Sequence, residues 1–271
     1  MIKSAVTIAL VPQIKTGPWI FWENLEESMG KAAALGFDGI ELFTASGNAI
    51  DSDRLRTLLQ QFNLKLAAVG TGAGKVIHGL TLTDTNITIR KNAIAFIKEM
   101  MEFGAQFGAP AIIGSMQGNT IPGETHSNSI GLLAEGLQIL DQHAVSLGVK
   151  LIYEPLNRYE TNLMNTLDDG SAFIASNKFN NIRLLADLFH MNIEEADPAA
   201  SIQKNIQHIG HVHFADSNRK PVGFGHTPME PIANALKLSS YDGYVSAEAF
   251  PWPDPDQAAA QTIRSFKQFF K

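Results

Sequence analysis

Residues 149–187 read VKLIYEPLNRYETNLMNTLDDGSAFIASNKFNNIRLLAD, two short apolar runs on either side of a stretch with helical spacing. VKLIYE and IRLLAD are too short for helices and rich in Leu and Ile, so both are expected as buried strands. LDDGSAFIASN, between them, is expected as a helix. A strand, a helix and a second strand in that order form a βαβ unit with parallel strands. Each strand run finishes on a carboxylate, Glu154 and Asp187, so the unit sets two acidic groups at one edge of a sheet.

Outward from this unit the same alternation recurs, eight times in all. Strands are expected to begin in AVTIAL, GIELF, KLAAVG, PAIIGS, VKLIYE, IRLLAD, HVHFAD and YVSAEAF. Between them WENLEESMGKAAALGF, DSDRLRTLLQQF, ITIRKNAIAFIKEMMEFGAQFG and NSIGLLAEGLQILDQHAVSLG carry apolar residues at three- and four-residue spacing. Gly36, Gly108 and Gly148 fall where such helices should stop. Eight βα units predict a closed (β/α)8 TIM barrel, expected as one domain over residues 1–271. The largest polar interruption, MQGNTIPGETHS after the fourth strand, is expected on the functional face.

The composition narrows the function classes. Hydrophobic residues make up 45% of the 271 and charged residues 18%, enough for a large core. A net charge of -6 gives no footprint for nucleic acid or an anionic membrane. SAVTIALV is too short to span a bilayer and lacks a following cleavage site, so a soluble cytoplasmic protein is expected. With no cysteine, disulfides and thiolate chemistry are excluded and any metal must be held by oxygen and imidazole.

If the strands close a barrel, Glu154, Asp187, His213 and Glu248 end the fifth to eighth strands and meet on its catalytic face. Three carboxylates and an imidazole suit a hard divalent cation with room for a substrate bearing neighbouring oxygens. Taken singly, a strand-end Glu is more often solvated, Asp187 can merely cap the next turn, and His213 in HVHF can be structural, as can His211. Four in succession point to a site. His190 follows Asp187 by three residues and can donate to a substrate oxygen; Arg219 can fork onto one or pair with Asp216 or Glu160; Glu160 can bind substrate or pair with Arg158. Trp19, Phe21 and Trp22 in TGPWIFWE suit the faces of a sugar or the packing of the first helix. GTGAG at 70–74 matches no phosphate-binding fingerprint.

EPLNRYETN, FHMNIEE after Asp187, GHVHFADSNRKPVGFGH and the final EAF resemble the D-tagatose and D-psicose (allulose) 3-epimerases, within the xylose-isomerase-like TIM barrels. The resemblance covers most of residues 150–250. It implies one divalent ion, Mn2+ first with Mg2+ or Co2+ as alternatives, on Glu154, Asp187, His213 and Glu248. It also implies Glu154 and Glu248 as the acid/base pair, with His190, Arg219 and Glu160 on the substrate oxygens. A small sugar substrate and a dimer or tetramer are implied as well. The chain departs from the group in TIALVPQIKTGPW, in GSMQGNT where an aromatic is usual, and in EAF where EPF is common. The expected reaction is ketose 3-epimerisation by deprotonation and reprotonation through a metal-stabilised enediolate. The alternative is an aldose–ketose or hydroxypyruvate-type isomerase; an apurinic endonuclease would need a richer ligand set and a basic groove.

Overall fold

The structure is a computed structural model that describes residues 1–22 and 24–271. Its first strand, β1 (Lys3–Leu10), is followed by a two-residue strand β2 (Phe21–Trp22), helix α1 (Leu25–Leu35), β3 (Gly39–Thr44), α2 (Ser52–Gln61) and β4 (Lys65–Gly70). A short α3 (Ala73–His78) and the long α4 (Ile87–Ala105) lead to β5 (Ala111–Ile113), α5 (His126–Leu147), β6 (Leu151–Tyr153), α6 (Leu167–Asn177) and β7 (Ile182–Asp187). Then come α7 (Leu188–Glu194), α8 (Pro198–Asn205), β8 (Ile209–His213), α9 (Met229–Leu238), β9 (Tyr244–Ala247) and α10 (Pro255–Phe270).

All strand pairs are parallel, in the order β1-β3-β4-β5-β6-β7-β8-β9, and β9 pairs back onto β1, so the sheet closes. The fold is the TIM barrel that the eightfold alternation predicts. The addition is β2, which pairs only with β1, Ile8 opposite Phe21. Helices start where side chains satisfy the free N–H groups of the first turn: Asn24, Asp51, Asn86, Thr125, Thr166 and Asp254 each accept one or more. Gly36 and Gly148 end α1 and α5 in the left-handed conformation as expected. Gly108 is also left-handed, but α4 stops earlier, with Gln106 at its C-cap, and Gly108 turns the connection to β5.

The apolar core has two parts. The larger lies between strands and helices, and a separate cluster of Ala68, Ile112, Ile152 and Leu185, from β4 to β7, fills one side of the lumen. The opposite side of the lumen is polar. Glu41 is in register with Thr7, His211 with Leu185, and His213 with Ser246, so these polar side chains share the inward face. The protein therefore gives up aliphatic filling in half of its barrel. That half lies directly below the strand ends bearing His213 and Glu248.

Candidate active site

The carboxyl ends of β6 to β9 bring Glu154, Asp187, His213 and Glu248 together, with one ligand-type atom from each within 4.8 Å of the others. His213 Nδ1 stands at the centre, 3.2 Å from Asp187 Oδ2 and 3.5 Å from both Glu154 Oε1 and Glu248 Oε2. Asp187 caps the turn that follows its strand. Its Oδ1 accepts from the Phe189 and His190 N–H groups at the start of α7, which leaves Oδ2 facing His213.

Burial and neighbouring charges compete over the charge states. Burial pushes the Glu154 carboxyl up to about 7, with His213 pulling the other way and Glu248 adding repulsion. Burial would also raise Asp187, but the neighbouring His190 and the hydrogen bond with His213 hold it well below the usual carboxylate range. His213 is pushed well above an ordinary histidine although burial opposes its charge, because Glu41 and Glu248 flank it. The cluster is thus rich in negative charge that it offsets with protons.

Such a donor set fits a hard divalent cation. Metal–oxygen distances of about 2.1 Å put adjacent ligand atoms ~3 Å apart, close to the spacing around His213 Nδ1. Glu154 Oε1, moreover, is buried with no hydrogen-bond partner among the described residues, an atom in want of a ligand. A second trio, Glu41, His211 and His213, also offers converging ligand-type atoms.

Around the cluster lies a cavity of about 190 Å³, lined on its polar side by Glu154, Glu160, His213, Arg219 and Glu248. Trp19 and Phe43 form the aromatic side, stacked with ring centroids 4.3 Å apart. Trp19 therefore meets the cavity, whereas Phe21 is buried in the core. Gly70, Thr71 and Gly72 line the same cavity, so the GTGAG run belongs to its wall.

His190 is buried, with Nε2 3.8 Å from both Glu154 Oε1 and Asp187 Oδ2 and without a hydrogen-bond partner among the described residues. Its Nδ1 accepts from the Asn157 backbone N–H at 3.3 Å and lies 2.7 Å from Asn157 Nδ2. Two donors on Nδ1 assign the ring proton to Nε2, which faces the carboxylates as a donor. Arg219 is held by Glu248 Oε2 at 2.6 Å, by Glu160 Oε1 at 3.3 Å and by the Phe189 ring, 4.9 Å from its centroid. It does not pair with Asp216, and Arg158 takes Glu194 instead of Glu160. Glu160, which accepts from Arg219 and from the Asn157 side-chain amide, lines the cavity beside Arg219.

Three contributors escape the sequence reading. Glu41, from β3, reaches across the lumen to both His211 and His213. Asn157 fixes the tautomer of His190. Gln117, in the loop after β5, donates from Nε2 to the carbonyls of Gly114 and Glu154 while accepting from the Tyr153 hydroxyl, and so pins the backbone of Glu154.

The family profile described as xylose isomerase-like TIM barrel matches residues 29–269. The chain belongs to the xylose isomerase-like TIM barrel family. Within curated proteins it is similar to the 3-dehydro-D-guloside 4-epimerase of Escherichia coli K12, 28% identical over 254 residues that cover 90% of this chain and 94% of that one. It is 30% identical to the D-psicose 3-epimerase of Ruminiclostridium cellulolyticum, over 86% of this chain and 82% of that one. The crystal structure of apo 3-keto-D-glucoside 4-epimerase from E. coli superposes with a TM-score of 0.80 at 24% identity, over 99% of this chain and all of the other, a likeness of fold. No helix among the described residues is long and apolar enough to cross a membrane.

Proposed function

We propose that this member of the xylose isomerase-like barrels is a carbohydrate epimerase that inverts the carbon next to a ketone, with a free ketose epimerised at C3 as its reaction. The observation that carries this reading is the meeting of Glu154 and Glu248 at His213 Nδ1, from strands separated by β7 and β8. Glu154, Asp187, His213 and Glu248 would hold one divalent cation, Mn2+ or Mg2+ in preference to Zn2+ because three of the four donors are hard oxygens. When bound, it would draw electron density from adjacent sugar oxygens and acidify the proton on carbon.

The proton transfers fall to the two glutamates. Glu154 removes the proton from one face of the carbon, and Glu248 returns one to the other face. Running backwards, their roles exchange. The Nε2–H of His190 donates to the substrate oxygen on which charge builds. Arg219 and Glu160 orient the remaining hydroxyls, and the Trp19 face covers the C–H surface of the sugar. The names of the two curated relatives support this chemistry, since a 3-dehydro sugar inverted at carbon 4 and a ketose inverted at carbon 3 both react beside a carbonyl.

A free sugar is favoured over a phosphorylated one. The loop after β8, where such barrels commonly seat a phosphate, has its backbone N–H groups at Ser217, Gly223, Gly225 and Thr227 taken by the carboxylate of Asp216. Turnover of free ketoses, 3-keto-glycosides and ketose phosphates in heavy water with Mn2+ tests the proposal. Deuterium on C3 of an inverted free ketose is expected. Deuterium on C1 or C2 would assign aldose–ketose isomerisation instead, and a tenfold preference for the phosphate would overturn the substrate class.

A further inference from the structure

We propose that Glu41 and His211 act as a positioning pair that locks the ring of His213 with Nδ1 turned into the four-residue cluster, and that they are not ligands of a second ion. This rests on the reading of Glu154, Asp187, His213 and Glu248 as a metal site.

An imidazole that ligates through Nδ1 must carry its proton on Nε2, and that N–H needs an acceptor to fix the ring. Glu41 Oε1 lies 3.1 Å from His213 Nε2. A lone carboxylate could rotate away, but its other oxygen, Oε2, is 2.8 Å from His211 Nε2. The two imidazoles stand edge-on, 83° apart with centroids separated by 5.5 Å, so one carboxylate is stretched between them and has no freedom left. All three side chains are buried.

The fold does not require this arrangement. Branched aliphatics ordinarily fill a TIM-barrel lumen, as Ile112, Ile152 and Leu185 do on the opposite side. A buried ion pair is at best a neutral replacement for such residues, because desolvation offsets the attraction. The unfavourable burial of Glu41 is explained if its carboxylate serves the atom it touches, the far nitrogen of His213.

The trio of Glu41, His211 and His213 is a poor second metal site. Its facing atoms already satisfy one another, in contrast to Glu154 Oε1, which is orphaned. An ion bound there together with one at the first cluster would also require the His213 ring to lose its last proton and bridge two cations.

Mn2+ titration of the metal-free protein, followed by the electron paramagnetic resonance signal of the free ion, separates these readings. The unmodified chain should take up one Mn2+. Glu41→Gln should still take up one, with affinity 10–100-fold weaker, the usual consequence of losing such an outer partner. Its turnover should recover when Mn2+ is raised to saturation, a rescue that general disruption of the barrel would not give. His211→Asn leaves the carboxylate in place but lets it rotate, and should weaken binding in the same direction; it carries the test if Glu41→Gln does not fold. Unchanged affinity in a folded variant would overturn the inference, as would two ions on the unmodified chain with one lost outright in Glu41→Gln. No Mn2+ binding by the unmodified chain would instead sink the four-residue site itself.

Discussion

Gly114 faces the Glu154 carboxylate so closely that a Cβ at residue 114 would overlap Glu154 Oε2. The glycine lies just beyond β5, on the strand that neighbours β6, and its carbonyl accepts from Gln117 Nε2, the same amide that holds the Glu154 carbonyl. The carboxylate thus occupies space that the adjacent strand leaves empty for it. Gly114→Ala should destabilise the fold by about 1–3 kcal/mol, as overpacking does, and displace Glu154. A misplacement of ~1 Å at the reacting group can cost ~10²-fold in rate, so turnover should fall far more than thermal stability. A Gly114→Ala protein with unchanged kcat would show that the position of Glu154 is not critical.

His190 offers a cleaner separation of binding from chemistry. It is buried beside the cluster without being one of its four central side chains, and Asn157 keeps its free N–H aimed at the carboxylates. His190→Ala should keep Mn2+ affinity within a fewfold of the unmodified chain while kcat/KM falls on the order of 10²-fold, as for loss of a preorganised donor. Asn157→Ala, which frees the tautomer but keeps the ring, should show a smaller loss of the same kind. Isothermal titration with Mn2+ alongside initial rates checks both. Loss of metal binding in His190→Ala would make the residue a ligand.

The convergence of Glu154, Asp187, His213 and Glu248 was legible in the sequence because a parallel barrel gathers the ends of neighbouring strands whatever the loops do, so that the four could be aligned without coordinates. Glu41 was not. It sits inside GIELF, with no motif around it, and its partners His211 and His213 are 170 and 172 residues away across the lumen. Alternation gives which side of a strand faces in, but not which inward side chain meets which from the opposite wall. Loop pairings were out of reach for a related reason. Arg158 could pair with Glu160, and Arg219 with Glu160 or Asp216; only the folded loops select Glu194 for the first and Glu248 with Glu160 for the second.

Asp216 ties together the loop that carries Arg219. Its two oxygens accept four backbone N–H groups, at 2.8 to 3.0 Å. Burial would raise its carboxyl, but these bonds outweigh that and hold it below the usual carboxylate value. A carboxylate depressed in the folded state contributes stability above its unfolded pKa of about 3.9, lost as the pH falls through the lower folded value. Asp216→Asn should therefore lower stability at neutral pH by the ~1–3 kcal/mol of an orphaned buried donor, and Tm with it. The gap between variant and unmodified chain should narrow below about pH 4. Because Arg219 moves with the loop, KM should rise. Parallel Tm–pH curves that never converge would remove the ionised carboxylate as the cause.

The assignment of two proton-transfer groups makes a sharper demand than loss of rate. If Glu154 and Glu248 serve opposite faces of one carbon, each reaches the proton of only one epimer. Glu248→Gln leaves Glu154 able to take a proton from its own face, exchange it with solvent and return it to the same face, but unable to complete inversion. Incubated in heavy water with Mn2+, that variant should place deuterium in one epimer without converting it, and Glu154→Gln should do the same with the other epimer. Net epimerisation should fall at least the ~10²-fold associated with general acid–base groups. Nuclear magnetic resonance of each pure epimer reads both quantities in one sample. Exchange of both epimers by either variant would mean that a single group swings between the faces, and inversion with no solvent deuterium would overturn proton transfer by two solvent-exchanging glutamates.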